Sequence, residues 1–266
     1  MPVAMMWSSP RLVGGEARVT EHLMDTPGYV VLSRMSSQQR ALDAVAHNLA
    51  NLETPAYQAE RLVFSRFVQP GAIGTRGGPT NYTIDRATWR ENAPGPLGTT
   101  GNPFDLALRG PGYFVVESPR GDRYTRAGRF TLSDDGRIVD PEGHALLDVS
   151  SQPLTISAAD SRIEVMGDGT VRSENGVIGK LRVVQFETPQ AMRPEGDRLY
   201  TSTEPPNPVE RPNVVQGALE GSNVKSVMEL TRLTEVTREF QDAANFADAE
   251  HDRIRSAIER ILRPVG

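Results

Sequence analysis

Any chemistry in this chain would have to rest on four histidines, 34 acidic side chains and scattered hydroxyls, because its 266 residues include no cysteine. That alone removes disulfides, thiolate metal sites and cysteine nucleophiles. His22, His47, His144 and His251 fall in different segments, and no two share the helical spacing of a metal-binding pair. No Gly-x-Ser-x-Gly elbow and no Walker loop occurs. Residues 74–78 (GTRGG) are glycine-rich but lack the preceding strand and following helix that a phosphate cradle requires. Asp134-Asp135-Gly136 and Gly167-Asp168-Gly169 look like fragments of calcium loops, yet neither has alternating oxygen ligands or a closing bidentate glutamate. Both read as hairpin turns. Catalytic, cofactor-binding and metal-ligating residues are therefore all expected to be none, and the chain is expected not to be an enzyme.

Composition narrows the partners. Twenty-nine basic and 34 acidic residues are well mixed, with a net charge of −5 and no basic stripe, which argues against nucleic acid. No run of 18 apolar residues is present to span a bilayer. A hydrophobic fraction of 38%, with 24 glycines and 20 prolines, suits a turn-rich and somewhat extended chain. Residues 1–23 have neither helical periodicity nor the apolar core of a secretory signal. They read as an irregular leader, with Met24 as the candidate natural start.

The strongest signal lies in the elements at the two ends. Leu233, Phe240, Ala247, Ile254 and Ile261 recur at every seventh position, and Leu230, Thr237, Ala244, His251 and Ile258 form a companion row. That is the a/d seam of a coiled coil. His251 lies on this seam and reads as an interface histidine. Near the other end Val31, Met35, Gln38, Leu42, Val45, Leu49 and Leu52 alternate steps of four and three, with Gln38 the only polar member. Thr26-Pro27 opens that helix and Thr54-Pro55 stops it. The second helix opens near Ser226, where Ser226 and Glu229 fit a capping box, and can run to Arg263. A seam of this length needs a partner, since one helix cannot bury its own stripe.

Between the helices, short strands separated by Gly, Pro and Asp turns recur at hairpin spacing from Phe104 to Phe186, which indicates an antiparallel β-rich domain. The expected division is a leader (1–23), an N-terminal helix (24–56), a loop-rich connector (57–101), a β-rich domain (102–187), a Pro-rich connector (188–215) and a C-terminal helical segment (216–266). Within the first connector one short strand is expected near Tyr82 to Ile84.

Four stretches carry a resemblance. Ala46 to Arg61 (AHNLANLETPAYQAER) resembles the N-terminal signature of flagellar rod and hook proteins, with Asn48, Ala50, Asn51, Thr54 and Tyr57 matching. His47 stands where that signature has a first Asn, Ala56 where it has Gly, and Gln58 where it has Lys. Residues 102–116 (NPFDLALRGPGYFVV), 123–147 and 216–233 (QGALEGSNVKSVMELTRL) resemble the entry to the family's β-domain, its following hairpin and the start of its C-terminal helix. The wording of the last stretch is most similar to proximal-rod members, with distal-rod members the near alternative.

The resemblance implies an α+β fold in which the two terminal helices pack together as a coiled-coil domain, with the β-domain outside. Val31, Met35, Leu42, Val45, Leu49 and Leu52 would then pack on the rows of Leu230, Leu233, Phe240, Ala247, Ile254, Ile258 and Ile261 as an assembly interface. It also implies a structural rod subunit of the flagellar basal body, stacked helically across the periplasm and passing torque for motility. Its partners would be copies of itself, other rod proteins and the flagellar type III export apparatus, with no small-molecule substrate. A β-sandwich binding module on a coiled-coil stalk is the reading from another class.

Overall fold

The computed structural model describes residues 26–69 and 80–262. The leader 1–23, the glycine-rich 74–78 stretch and the expected helix end at Arg263 lie outside them. Two long helices bracket the fold: α1, Thr26–Ala50, and α2, Ser226–Leu262. As the resemblance implies, they pack together, and they flank a β-rich middle in the chain. By compactness the described chain forms two units, one of residues 26–40, 64–69, 80–85 and 237–262, the other of 41–63 and 86–236. Both helices run from one unit into the other.

In the first unit Gln38 Nε2 of α1 donates to Glu239 Oε2 of α2 at 3.3 Å. In the second, Asn48 Nδ2 donates to Glu229 Oε2 at 3.3 Å. Every residue of α2 from 251 to 262 is exposed.

Burial along the two helices is uneven. On α2 Leu233, Phe240 and Ala247 are half-buried, as are Thr237 and Ala244 of the companion row, whereas Leu230, His251 and Ile258 are exposed; Glu229 and Ala243 are the buried positions. On α1 the buried positions are Ser37, Gln38, Ala41, Ala44, Val45 and Asn48, while Val31, Met35, Leu42 and Leu49, with Leu52 just beyond the helix, are half-buried. Small residues occupy the centre because helix axes approach more closely over alanine than over leucine.

The segment after α1 departs most from expectation. The stretch from Gln69 to Gly101 reads as loop with one short strand, yet two long strands, β1 (Glu60–Gln69) and β2 (Thr80–Arg90), pair in a sheet of their own. Alternating β-branched and aromatic residues such as Tyr82, Ile84 and Trp89 carry that signal. The Gly and Pro residues around them mask it in a window reading.

The middle domain is built on a nine-stranded sheet whose described strands pair antiparallel. Tyr113–Ser118 lies at its centre, pairing with Gly121–Thr125 on one side and Ala145–Leu146 on the other, with Val183–Gln185 joining at its start. Its main core gathers Leu106, Phe114, Val116, Phe130, Leu146, Val171 and Leu181 among others. The Pro-rich stretch 188–213, read as connector, instead supplies the short strands Arg193–Pro194, Tyr200–Thr201 and Asn207–Pro208 to this sheet. Proline is tolerated there because two-residue edge pairings leave its missing N–H unopposed.

Residues 216–225, read as the start of the C-terminal helical segment, are also strand and turn. Val214–Gln216 pairs with Leu106–Leu108, and Ala218–Glu220 with Leu97–Thr99. Gly128 explains how tightly the domain closes, since a Cβ there would sit 1.5 Å from the Leu106 carbonyl oxygen.

Candidate functional site

The signature residues converge where α1 ends and α2 begins. Asn48 is fully buried and uses its whole side-chain amide. Its Nδ2 donates to the Glu60 carbonyl at 2.9 Å and to Glu229, while its Oδ1 accepts from the Glu60 N–H at 2.8 Å and the Tyr57 hydroxyl at 3.3 Å. One asparagine thereby joins α1, the start of β1 and α2.

Asn51 and Thr54 form the turn that ends α1. Asn51 Nδ2 donates to the His47 carbonyl at 2.9 Å, satisfying an orphan C=O of the helix end. Thr54 Oγ1 donates to Asn51 Oδ1 at 3.0 Å. Ala50 is exposed at the helix end. Ala56 follows with φ +57 and donates its N–H to the Glu220 carbonyl at 2.8 Å. This left-handed position is where the signature carries Gly, so the preference is backbone geometry.

Glu229 was not singled out as part of this site. Its carboxylate does not cap α2 with Ser226; it is 1% exposed and takes a short contact from the Arg61 guanidinium besides the Asn48 amide. Arg61 also faces Glu91 at 3.4 Å. Hydrogen bonding and charge from Glu229, then Glu91, hold the guanidinium pKa above its usual value against the opposing effect of burial, which is the largest single influence. Burial, reinforced by Glu60, Tyr200 and Glu229, pushes the Tyr57 hydroxyl up from 10.0 to about 12. Asn223 closes the other side, accepting from Ala59 N at 2.7 Å and donating to the carbonyls of Glu91 at 2.7 Å and Ala93 at 2.8 Å. The sequence signal for Asn223 is the Gly-Ser-Asn-Val wording before α2; Glu229 carries only a capping-box signal with Ser226, and Arg61 no signal of burial.

The predicted assembly residues divide into two groups. Val45 is buried and Val31, Met35, Leu42, Leu49, Leu52, Leu233, Phe240 and Ala247 are half-buried, whereas Leu230, Ile254, Ile258 and Ile261 are exposed at 50%, 43%, 51% and 80%. His251 and His47 are exposed too. His144 faces Asp140 at 2.9 Å beside Glu142, the grouping among the described residues that most resembles a metal site. Its acids are already used. Asp140 Oδ1 accepts the N–H groups of Glu142 and His144, and Glu142 pairs with Arg198 at 3.0 Å, so the cluster braces a turn. Asp134-Asp135-Gly136 and Asp168-Gly169 are hairpin turns, closed by Gly136 N to Ser133 O and Gly169 N to Met166 O. Among the described residues no helix is long and apolar enough to cross a membrane.

The geometry is thus a polar clasp joining the end of α1 and the start of α2 to the strands between them. Three family models match it in order along the chain. Residues 29–58 match "Flagella basal body rod protein", 107–173 "Flagellar hook protein FlgE/F/G D1 domain", and 215–260 "Flagellar basal body rod FlgEFG protein C-terminal". The flagellar basal-body rod protein FlgF of Caulobacter vibrioides is 35% identical over 241 residues, covering 90% of this chain and 98% of that protein. FlgF of Mesorhizobium japonicum is 32% identical, covering 81% and 89%. FlgG of Agrobacterium fabrum is 28% identical, covering 80% and 90%. The clasp accounts for why the Asn48-to-Tyr57 signature has those residue types, and the relatives extend the match over nearly the whole chain: it belongs to the FlgF/FlgG family of flagellar basal-body rod proteins, non-catalytic structural subunits of the bacterial flagellum.

Proposed function

We propose that the chain is a FlgF-type subunit of the proximal rod, assembling helically with copies of itself and with neighbouring rod proteins after delivery by the flagellar type III export apparatus. The observation that carries the assembly part is the end of α2. Ile254, Ile258, Ile261 and Leu262 are exposed on its last turns. Burying each such side chain in a neighbour contributes about 1.5–3 kcal/mol. Interfaces of this head-to-tail kind do not close on themselves and so build a filament, through which torque is passed. The proximal assignment is supported by the FlgF relatives at 35% and 32% identity against 28% for the FlgG relative.

The test is deletion of the gene in its own bacterium, with swimming scored and hook–basal bodies imaged by electron microscopy. Loss of motility with rods missing or stopped at the proximal segment, restored by the intact gene, is the expected result. Rods that stop short within the proximal segment support the proximal assignment, whereas a full-length proximal segment lacking only the distal part assigns the chain to the FlgG type instead. Normal swimming with complete basal bodies overturns the rod-subunit role of this copy.

A further inference from the structure

The β-domain is tied to the helix junction by little continuous structure. The chain leaves the junction through Leu97–Thr99 and returns through Ala218–Glu220, a two-stranded ribbon three residues long. Leu97, Gly98 and Thr99 are all exposed. A ribbon of this size has little stiffness of its own. Two buried or half-buried arginines run alongside it.

Arg126, 6% exposed at the end of strand Gly121–Thr125, spans the ribbon. Its Nε donates to Glu220 Oε2 at 2.9 Å and its Nη2 reaches the same oxygen at 2.8 Å, while Nη1 and Nη2 donate to the carbonyls of Gly112 and Gly110 at 2.9 and 3.1 Å. Glu220 is itself 3% exposed and receives Gly95 N–H on its other oxygen at 3.1 Å and Ala56 N–H on its carbonyl.

Arg90, the last residue of β2, makes a second crossing. Its guanidinium donates to the carbonyls of Pro189 and Met192 and lies 4.7 Å from the centre of the Tyr200 ring. Its backbone is clamped by Gln190, which accepts from Arg90 N–H at 3.2 Å and donates to the Arg90 carbonyl at 2.6 Å. Arg126 stands 5.9 Å from the Tyr113 ring, and Tyr113 and Tyr200 meet edge to face at 6.0 Å. The two arginines therefore grip one aromatic pair from either side.

We propose that Arg90 and Arg126 are torque-coupling residues: two guanidinium struts that hold the β-domain at a fixed orientation on the helix junction, where the short ribbon alone would let it swivel. This rests on the rod-subunit reading for its purpose, though not for its geometry. A planar fork held by several acceptors resists rotation in a way that a single ammonium contact does not.

Because the chain has no cysteine, a pair of spin labels can be placed cleanly. Glu235→Cys on exposed α2 and Asp134→Cys in an exposed turn of the β-domain report the angle as a distance distribution in the full-length chain. With both arginines intact a narrow distribution is expected. Replacing both, Arg90→Gln with Arg126→Gln, should widen it at least twofold while the near-ultraviolet signal of the aromatic cluster is kept. If that double variant does not fold, Arg126→Lys alone keeps the charge and should still widen the distribution measurably. An unchanged width in the folded variants overturns the strut.

Swimming of complemented cells in media of rising viscosity then reads the purpose. Struts that carry torque give variants that swim at low load and stall at a viscosity the parent tolerates. A widened distribution with load dependence equal to the parent overturns the torque role. Failure of the unsubstituted gene to restore motility overturns the rod reading instead.

Discussion

Replacing Glu229 with alanine tests the clasp at its most enclosed point. The substitution strands one Asn48 N–H, a loss of about 1–3 kcal/mol, and removes the charged hydrogen bond to Arg61, about 1.5–3 kcal/mol. Arg61 is 22% exposed and keeps Glu91 at 3.4 Å, so water and that carboxylate recover part of the second loss. A net destabilisation of about 3 kcal/mol follows, at the low end of what breaking a buried pair costs. Glu229→Gln keeps one acceptor oxygen but turns an NH2 donor on the second neighbour, so it should lose nearly as much as alanine. Urea unfolding followed by helical ellipticity reads this directly. With a slope of roughly 2–3 kcal/mol per molar urea, the Glu229→Ala midpoint should fall by about 1–1.5 M. A cycle with Arg61→Ala should show about 1–3 kcal/mol of coupling. A midpoint within about 0.2 M of the parent, or losses that simply add, would refute the clasp.

Other consequences are open to measurement. At Ala56, φ +57 makes glycine nearly neutral, since relief of about 1 kcal/mol of left-handed strain is set against about 0.8 kcal/mol of lost methyl burial. Ala56→Val should instead cost more than about 2 kcal/mol, and a valine variant as stable as the parent contradicts the turn geometry. Tyr57, raised to about 12, contributes stability that is fully present below its unfolded value of 10.0 and lost as pH rises through about 12; ultraviolet titration against Tyr57→Phe should show one phenol ionising that late. Glu174 is held down from 4.5 to about 2, first by the Ser161 backbone N–H, then by other N–H groups including that of Arg162, and by the Ser161 hydroxyl. Its contribution is present above pH 4.5 and lost as pH falls through about 2, so a carboxyl chemical-shift midpoint near 4.5 would refute the contact.

Much of this was legible before the fold was seen, and the exceptions share a cause. The two long helices followed from apolar periodicity, which acts locally, and the start of α2 at Ser226 was read from a capping box whose glutamate turns out to serve the clasp instead. The strands around Tyr113 and Val183 followed from alternation between glycine turns. Glu229 was invisible as a core residue because its burial depends on Arg61 and Asn48, both more than 150 positions away. The strands of 188–213 and 60–90 were obscured by nearby prolines and glycines, whose local cost is outweighed by pairing with distant segments. Asn48 was found through its signature, but only the structure gives it four hydrogen bonds and hence a reason to be asparagine.

The central proposal is that the exposed Ile254, Ile258 and Ile261 of α2 pack on a neighbouring subunit. Ile258→Asp combined with Ile261→Asp tests it most directly, because both side chains are exposed, at 51% and 80%. The expected result is an unfolding midpoint equal to the parent's, together with loss of the subunit from purified hook–basal bodies and loss of swimming in cells carrying only this variant. Rods that contain the doubly substituted subunit at the parent's level would contradict it.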